Sequence, residues 1–580
     1  MATAKTGSVD SYAKLSPLEK SALDSLKAGR FVERIWQKDA TLWKKGSSEA
    51  KAIIENALGW LTVPAFMQGK LTELNGFREE VLEAGFTDVV VLGMGGSSLA
   101  PFVFAESFAS DGDYPKLHIL DSTDPQTIRE LQSKLDITNT LFIVASKSGS
   151  TIEPNTFFEH FRSLVKNIKG DRYGENFIAI TDSGSSLEAL AKECTFRRTF
   201  INPSDIGGRY SALSYFGLLP AALSGVDVER ILKSADAMVR ASSASVDTGS
   251  NHALLLGVTL GVFAKEGRDK VTFFISEKIK SFGLWIEQLL AESTGKEGLG
   301  LVPIVDEPLT NIKNYGNDRV FVFIGLKGSP IGGPDIDALK SVGHPVVELA
   351  LDSEYSIGAE FFMWEFATAV VGSVLGINPF DQPNVESAKI STRELLDTIE
   401  EGGDRGATSP YLEADGFGIY LGAKTRERLD LGSKVAEGVE AILKALFKEE
   451  ADYSGILAYL NPYDRGIQRE LQCMRRIFTS KAIASHFGYG PRYLHSSGQL
   501  HKGGGGGVFM IITNSITGDD DGDIAVPGKR YSFGELELSQ AMGDLAAIDG
   551  SGKRVVLIDI KGADVPSTIK ELAALLTKNI

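Results

Sequence analysis

A hydroxyl-rich stretch follows an apolar run at residues 141–145 and has the composition of a phosphate site. Its members are Ser146, Lys147, Ser148, Gly149, Ser150 and Thr151. A helix is predicted to open just after it at Glu153-Pro154, because proline suits the first helical turn. Hydroxyls, one cation and free backbone amides at a helix N-terminus together favour phosphate binding. The pattern G-x-x-x-x-G-K-[ST] is absent, so the stretch is not a nucleotide P-loop. The alternative is a serine-rich capping loop, and the strand–loop–helix setting favours phosphate.

A glycine-rich turn at residues 93–98 follows another apolar run and includes Gly96 and Ser97. Glycines allow a backbone to approach a ligand closely. Asp121 ends the next apolar run, where a ribose-binding acid of a dinucleotide fold would lie. Ser98 stands where the last glycine of G-x-G-x-x-G is required, so an NAD-dependent oxidoreductase is disfavoured. The remaining alternative is a tight turn without a ligand.

Proton-transfer chemistry requires a base and a fixed cation, and the sequence offers candidates for both. Glu292 and Gln288 are four residues apart, so on a helix they share one face. A carboxylate there could remove a proton from carbon beside a carbonyl. Arg209 follows two glycines and could stabilise an enediolate. Lys389 follows a proline-rich loop at 378–383. Alone, each also fits a solvated side chain beside a turn or helix end.

Two of the seven histidines, His495 and His501, lie in a polar loop that leads into five glycines. A histidine near neutral pH can shuttle protons, and the alternative is a flexible surface loop. Their spacing matches no zinc pattern, so no metal is predicted. Cys194 and Cys473 form no motif, and a reducing compartment with two structural thiols is expected.

These motifs need elements to position them, and the sequence alternates short apolar runs with amphipathic stretches. That alternation predicts α/β architecture with parallel sheets flanked by helices. The predicted strands are 88–92, 117–120, 141–145, 177–181, 271–275, 319–324, 346–351, 455–460, 508–513 and 555–560. The predicted helices include 124–135, 153–168, 278–292, 361–375, 465–485 and 533–548, and Ser16, Pro17 and Glu19 predict a helix start.

The segments divide the chain into four predicted parts. They are an N-terminal helical segment (1–85), a first sheet domain (86–250), a second of the same kind (251–400) and a smaller C-terminal α/β domain (401–580).

Composition excludes several classes of protein. The net charge of −16 disfavours nucleic acid and anionic membranes as partners. The first residues lack an apolar core, so no signal peptide is expected. The longest apolar run, 361–377, is interrupted by Glu365 and favours a buried helix over a membrane span. A cytoplasmic location is the resulting expectation.

In chain order, the motifs GMGGSSL, SKSGST, GGRYS, ESTGK and PFDQP-x5-K resemble those of the glucose-6-phosphate isomerase (phosphoglucose isomerase) family over about residues 10–400. The chain is most similar to the isomerase portion of transaldolase–isomerase fusion proteins, which also carry a domain like that beyond residue 400. The resemblance implies two sugar-isomerase (SIS) domains and a homodimer. It also implies reversible isomerisation of glucose 6-phosphate and fructose 6-phosphate in glycolysis and gluconeogenesis, without a cofactor.

The resemblance also implies a role for each matching residue. Glu292 would be the base, Arg209 would stabilise the cis-enediolate, and Lys389 would help open the ring. The substrate-binding residues would be Gly96, Ser97, Ser146, Lys147, Ser148, Thr151, Gln288 and Gln382.

One position departs from the family, which uses a histidine from the partner subunit to open the ring. Tyr355 aligns there, and the sequence around His501 is similar to the family's histidine motif, so we hypothesise that His501 substitutes. Two alternative functions stay open at the level of sequence. They are a non-catalytic sugar-phosphate-binding regulator and an isomerase that also accepts mannose 6-phosphate.

Overall fold

A computed structural model of the chain describes residues 15–44, 47–108, 112–402, 409–430, 438–514 and 522–580. The strands are, in chain order, β1 (Asp88–Gly93), β2 (Lys116–Leu120), β3 (Thr140–Ala145), β4 (Phe177–Asp182), β5 (Arg198–Asn202), β6 (Lys270–Ile275), β7 (Val302–Ile304), β8 (Arg319–Leu326), β9 (Val346–Leu351), β10 (Leu412–Ala414), β11 (Phe417–Leu421), β12 (Tyr453–Tyr459), β13 (Ala484–Tyr489), β14 (Gly507–Thr513) and β15 (Arg554–Ile560).

The first half of the α-helices are α1 (Pro17–Ala28), α2 (Phe31–Trp36), α3 (Ser48–Glu55), α4 (Val63–Gln68), α5 (Leu71–Glu83), α6 (Leu99–Ser107), α7 (Pro125–Lys134), α8 (Ile152–Lys169), α9 (Ser186–Glu193), α10 (Tyr215–Leu223) and α11 (Val228–Ala241). The others are α12 (His252–Lys265), α13 (Phe282–Thr294), α14 (Ile336–Ser341), α15 (Ile357–Leu375), α16 (Glu386–Glu400), α17 (Ala423–Arg428), α18 (Val439–Leu446), α19 (Arg465–Ser480), α20 (Gly498–Gly503), α21 (Phe533–Gly550) and α22 (Val565–Asn579).

The chain forms two compact units. The first runs to Asp121 and includes Leu135–Thr294 and Asp318–Asp381, and the second comprises Ser122–Lys134, Gly295–Asn317 and Gln382–Ile580. The predicted division at residues 85, 250 and 400 stays a prediction.

The first unit contains a five-stranded sheet of order β2-β1-β3-β4-β5, in which every pairing is parallel. All six residues of β3 are buried, which requires that both faces of the sheet are covered. The same unit holds β6, β8 and β9, which also pair in parallel. The predicted fold class of parallel sheets flanked by helices is confirmed.

Helix α15 forms the core beside this second set of strands. Trp364 at its centre is fully buried and lies 5.6 Å, ring to ring, from Phe273 of β6. With the preceding turn, residues 354–375 are long and apolar enough to cross a membrane, the one such helix among the described residues. Since 89% of its most apolar window is buried within the protein, it serves as a core helix.

The second unit is built on a sheet of order β10-β11-β15-β14-β12-β13. Strands β12 to β15 pair in parallel, whereas β11 pairs antiparallel with both β10 and β15. The second unit therefore contains a mixed sheet, and a separate C-terminal α/β domain at 401–580 stays a prediction.

Two local predictions have definite outcomes. The start of α1 is confirmed, because Ser16 and Glu19 form a reciprocal capping box and Pro17 is the first helical residue. The predicted helix 465–485 is too long. It ends at Ser480, Ala482 adopts a left-handed φ of 64°, and the chain enters β13 two residues later.

Candidate active site

Two of the motifs that the sequence singled out lie at the carboxyl ends of the first sheet. Because the strand order is β2-β1-β3-β4-β5, the chain leaves β1 toward one edge of the sheet and continues from β3 toward the other. Parallel sheets bind ligands at such a reversal, outside the carboxyl ends of the two strands. The turn with Gly96 and Ser97 follows β1, and the stretch 146–151 follows β3.

The 146–151 stretch presents hydroxyls at the start of α8. Ser146 is buried, and its Oγ accepts a bond from the Gly149 amide at 3.1 Å and contacts Thr151 Oγ1 at 3.2 Å. Ser148 and Ser150 are exposed, with their hydroxyls 2.9 Å apart. Thr151 is the N-cap of α8 but makes no side-chain capping bond. Hydroxyls and helix amides in this arrangement can bind an anion.

Lys147 ties this stretch to the segment that follows β5. Its Nζ donates to the carbonyls of Ser204 at 2.6 Å and Ile206 at 2.8 Å, and lies 3.0 Å from Asp182 Oδ2. Burial raises the pKa of Asp182, and the Lys147 cation works in the opposite direction. The ammonium is therefore held by protein groups, and it fixes the loop three residues before Arg209.

Gly96 lies against that same segment. A Cβ at position 96 would stand 2.0 Å from the carbonyl oxygen of Gly208, so a side chain there would force the two backbone segments to move apart. Ser97 is half-buried in the next position. The turn after β1 and the segment that carries Arg209 are thus in direct backbone contact.

Arg209 and Glu292 form a nearly buried ion pair. Their side chains are 3% and 15% exposed, and Arg209 Nη1 lies 3.1 Å from Glu292 Oε1. Gln288, one turn earlier on α13, donates its Nε2 to Glu292 Oε2 at 3.3 Å, which confirms the shared helix face. The carboxylate is consequently oriented from two sides.

Other contacts fix the guanidinium itself. Its Nε donates to Ser293 Oγ at 2.7 Å, and Nη2 donates to the carbonyls of Pro379 at 2.8 Å and Asp381 at 3.0 Å. The buried hydroxyl of Tyr210 lies 3.4 Å from Ser293 Oγ, and burial raises the pKa of Tyr210 so that it stays protonated. Sequence reasoning missed these partners, since backbone carbonyls carry no signal in residue type. The ESTGK motif offered the only clue to Ser293.

Three predicted residues belong to the second unit. Gln382 is exposed just before α16, and Lys389 on that helix is 43% exposed with its Nζ 3.7 Å from Glu386. His501 on α20 is fully buried, and neither ring nitrogen has a hydrogen-bond partner. Burial, then the neighbouring His486 and Lys502, hold the pKa of His501 well below its usual value. The alternative of a flexible surface loop is wrong for this residue.

Tyr355, at the position that departs from the family pattern, lies in the first unit. The guanidinium of Arg230 stacks 3.6 Å from its ring centroid, and Phe108 packs against its edge at 5.0 Å. The position therefore has a packing role. Across the described part of the chain, no group of three or more histidine, cysteine or acidic side chains is arranged to hold a metal.

Part of the chain is similar to a known family of enzymes. A sequence model of the phosphoglucose isomerase family matches residues 76–312. Over these residues the chain is similar to the phosphoglucose isomerase family. The probable glucose-6-phosphate isomerase of Methanococcus maripaludis is 29% identical over 382 residues, covering 59% of this chain and 85% of that protein. The glucose-6-phosphate isomerase of Prochlorococcus marinus (strain NATL2A) is 28% identical over 497 residues, covering 77% and 89%.

A solved structure of a hypothetical protein from Thermus thermophilus matches with a TM-score of 0.56 and 25% identity, covering 65% of this chain and 97% of that one. The stretch that matches the phosphoglucose isomerase family contains Gly96, the 146–151 loop, Arg209 and Glu292. Gln382, Lys389 and His501 lie beyond it.

Proposed function

We propose that the chain catalyses the reversible isomerisation of glucose 6-phosphate and fructose 6-phosphate through a cis-enediolate. The observation that carries the proposal is the Arg209–Glu292 pair, with the carboxylate 15% exposed and held 3.1 Å from the guanidinium. Glu292 takes the proton from C2 of the aldose and returns it to C1. The negative charge that builds on the oxygens of the enediolate faces the fixed cation of Arg209.

The phosphate has a natural anchor in the 146–151 loop. Ser148 supplies an exposed hydroxyl beside the amides of α8, and Ser146 and Thr151 hold the loop in shape. Because Lys147 links this loop to the Arg209 segment, anchor and base belong to one continuous set of contacts. Gly96 and Ser97 line the sugar, and Gln288 orients Glu292.

The remaining assignments rest on the motif resemblance. We assign phosphate contact to Gln382 and ring opening to Lys389 and His501. His501 is fully buried, so its role requires that the ring become accessible to the sugar. We also propose that the protein forms a homodimer and is located in the cytoplasm. Light scattering of the purified protein tests the homodimer.

The decisive experiment is a coupled assay with fructose 6-phosphate on wild type, Glu292→Gln and the exposed control Glu297→Gln. Loss of a positioned general base lowers turnover by roughly 10²–10⁴-fold. We expect that loss in Glu292→Gln alone, with substrate binding by calorimetry retained. Equal turnover in wild type and Glu292→Gln would reject the proposed base, and binding without turnover in wild type would indicate a regulator.

Ring opening needs its own assay. The rate of anomer exchange in glucose 6-phosphate, followed by NMR, separates ring opening from proton transfer in His501→Gln and Lys389→Met. Unchanged exchange in either variant would remove that residue from the assignment.

A further inference from the structure

The sheet of the second unit has its own topological reversal. From β12 the chain passes through α19 to β13 at one side, then crosses to β14 on the other side of β12. The loops after β12 and β14 therefore leave the carboxyl edge in opposite directions. Such a crevice is where parallel sheets place ligands.

A cavity of about 70 Å³ lies at this reversal. Leu460 and Asn461 follow β12, Thr513 and Asn514 end and follow β14, and Glu537 reaches it from α21. At roughly 30 Å³ per molecule, the space holds about two waters or a small organic group.

Glu537 is the unusual group in this cavity. Its side chain is 8% exposed, and its Oε1 has no hydrogen-bond partner. Burial, followed by the charges of Asp124 and Asp523, raises the pKa of Glu537 well above its usual value. Burying a carboxyl group that has no hydrogen-bond partner costs free energy, and a bound ligand can offset that cost.

Asp124 supplies a second carboxylate at the cavity. Its Oδ1 accepts both bonds from Thr127, from the amide at 2.6 Å and from the hydroxyl at 2.7 Å. The other oxygen takes part in neither bond. Two further polar side chains at the cavity already have hydrogen-bond partners within the protein. Thr513 donates to Asp559, and Asn461 donates to Glu130.

The charged residues that line the cavity are both acidic, and the rest of the lining includes an apolar wall. Among the described residues that line the cavity, none is a lysine, an arginine or a histidine. Six of its residues are apolar or aromatic, namely Pro125, Tyr459, Leu460, Ile467, Leu538 and Val565. A hard metal ion prefers six or more oxygen ligands, whereas an alkylammonium group matches carboxylates beside apolar carbon.

We propose that this cavity is a binding site for a small organic cation whose primary ammonium group pairs with Glu537 and Asp124. The alkyl part of the ligand packs against Tyr459 and Leu538. The site lies wholly in the second unit and gives that unit a ligand-binding role separate from isomerisation.

Calorimetry on the full chain with 1,4-diaminobutane and propylamine tests the proposal, with 1-propanol as the uncharged probe. We expect saturable binding of the amines and none of 1-propanol. Removing one charge-assisted bond in Glu537→Gln weakens amine binding by roughly 10–100-fold. The control Glu571→Gln removes an equal charge from an exposed position on α22 and leaves the affinity unchanged.

A structural role for Glu537 predicts a different set of results. In that case Glu537→Gln would lower the thermal midpoint of the ligand-free protein, whereas an uncompensated carboxyl group predicts a rise. Asp124→Asn keeps the oxygen that accepts from Thr127 and provides a second, independent loss of amine affinity. The proposal is overturned if amines do not saturate, if Mg²⁺ or Ca²⁺ binds in their place, or if both variants bind like wild type.

Discussion

Helix α15 contains two buried carboxyl groups, and Glu360 allows a quantitative test of what burial costs. Glu360 is 6% exposed, and its Oε2 accepts a bond from Trp364 Nε1 at 3.2 Å. Burial raises the pKa of Glu360 to about 8, with the Trp364 bond acting in the opposite direction. The group is therefore mostly protonated in the folded protein at pH 7. We predict that Glu360→Gln stabilises the protein, because glutamine keeps an acceptor for Trp364 and has no proton to take up.

The sign and size follow from proton linkage. Between the unfolded value of 4.5 and the folded value of about 8, the folded state binds more protons than the unfolded state, so stability falls as pH rises. The cost of keeping Glu360 protonated is about 3 kcal/mol at pH 7 and about 0.4 kcal/mol at pH 4.5. Between pH 4.5 and pH 7, the stability of Glu360→Gln relative to wild type should increase by the difference between these two costs.

Urea unfolding at pH 5, 6, 7 and 8 measures the effect, with the exposed Glu277→Gln as the control for removal of a charge. We expect the difference between Glu360→Gln and wild type to rise steadily with pH, while Glu277→Gln follows wild type throughout. A difference that is constant with pH would refute the assigned protonation of Glu360. Destabilisation by Glu360→Gln at pH 8 would refute the reasoning on burial.

Three further predictions concern the candidate site and its support. Gly96→Ala should lower the free energy of unfolding in urea by about 1–3 kcal/mol and lower turnover, because its Cβ would stand 2.0 Å from a facing carbonyl oxygen. The control Gly76→Ala on α5, which has open space around it, should be neutral or stabilising. Arg209→Lys keeps the charge but loses the fork of bonds, so turnover should fall roughly 10²-fold without unfolding, while the exposed Arg172→Lys has no effect. Burial lowers the pKa of His160 to about 4, so the unfolded state takes up the proton first as pH falls below 6.5, and stability should drop by about 2 kcal/mol between pH 7 and pH 5. His160→Phe should lose that part of the pH dependence, and an unchanged slope would contradict the assignment.

Continuous apolar runs in the sequence predicted long strands that are buried on both faces, and the sequence missed several strands that are only partly buried. Continuous apolar runs identified β1, β3, β6 and β14, because residues covered on both faces are apolar throughout. Strand β5 was missed, since it is an edge strand with exposed Arg198 and Ile201. The hairpin of β10 and β11 was missed because its residues are also only partly buried. Apolar periodicity reports burial, so it cannot report backbone pairing that is only half-buried.

The candidate site shows a related limit of prediction from sequence, because its contacts join residues that are distant in the chain and include backbone atoms. The sequence placed Gln288 and Glu292 on one helix face because that relation is local. It could not pair Arg209 with Glu292, which are distant in the chain, and resemblance to a family supplied that link. The carbonyls of Pro379 and Asp381 were beyond reach altogether, because every residue type carries the same carbonyl.

His501 shows how glycines can mislead. Gly498 and the run from Gly503 suggested an open loop, yet a Cβ at position 503 would stand 2.6 Å from both Asn384 Oδ1 and the carbonyl oxygen of Gly295. Close packing, and not flexibility, requires that glycine. The same packing leaves His501 with no exposed surface, so a proton-transfer role depends on opening of α20. Hydrogen exchange of the α20 amides with and without fructose 6-phosphate therefore tests the hypothesis directly. Protection that stays at the level of the buried β14 strand in both conditions would exclude His501 from ring opening.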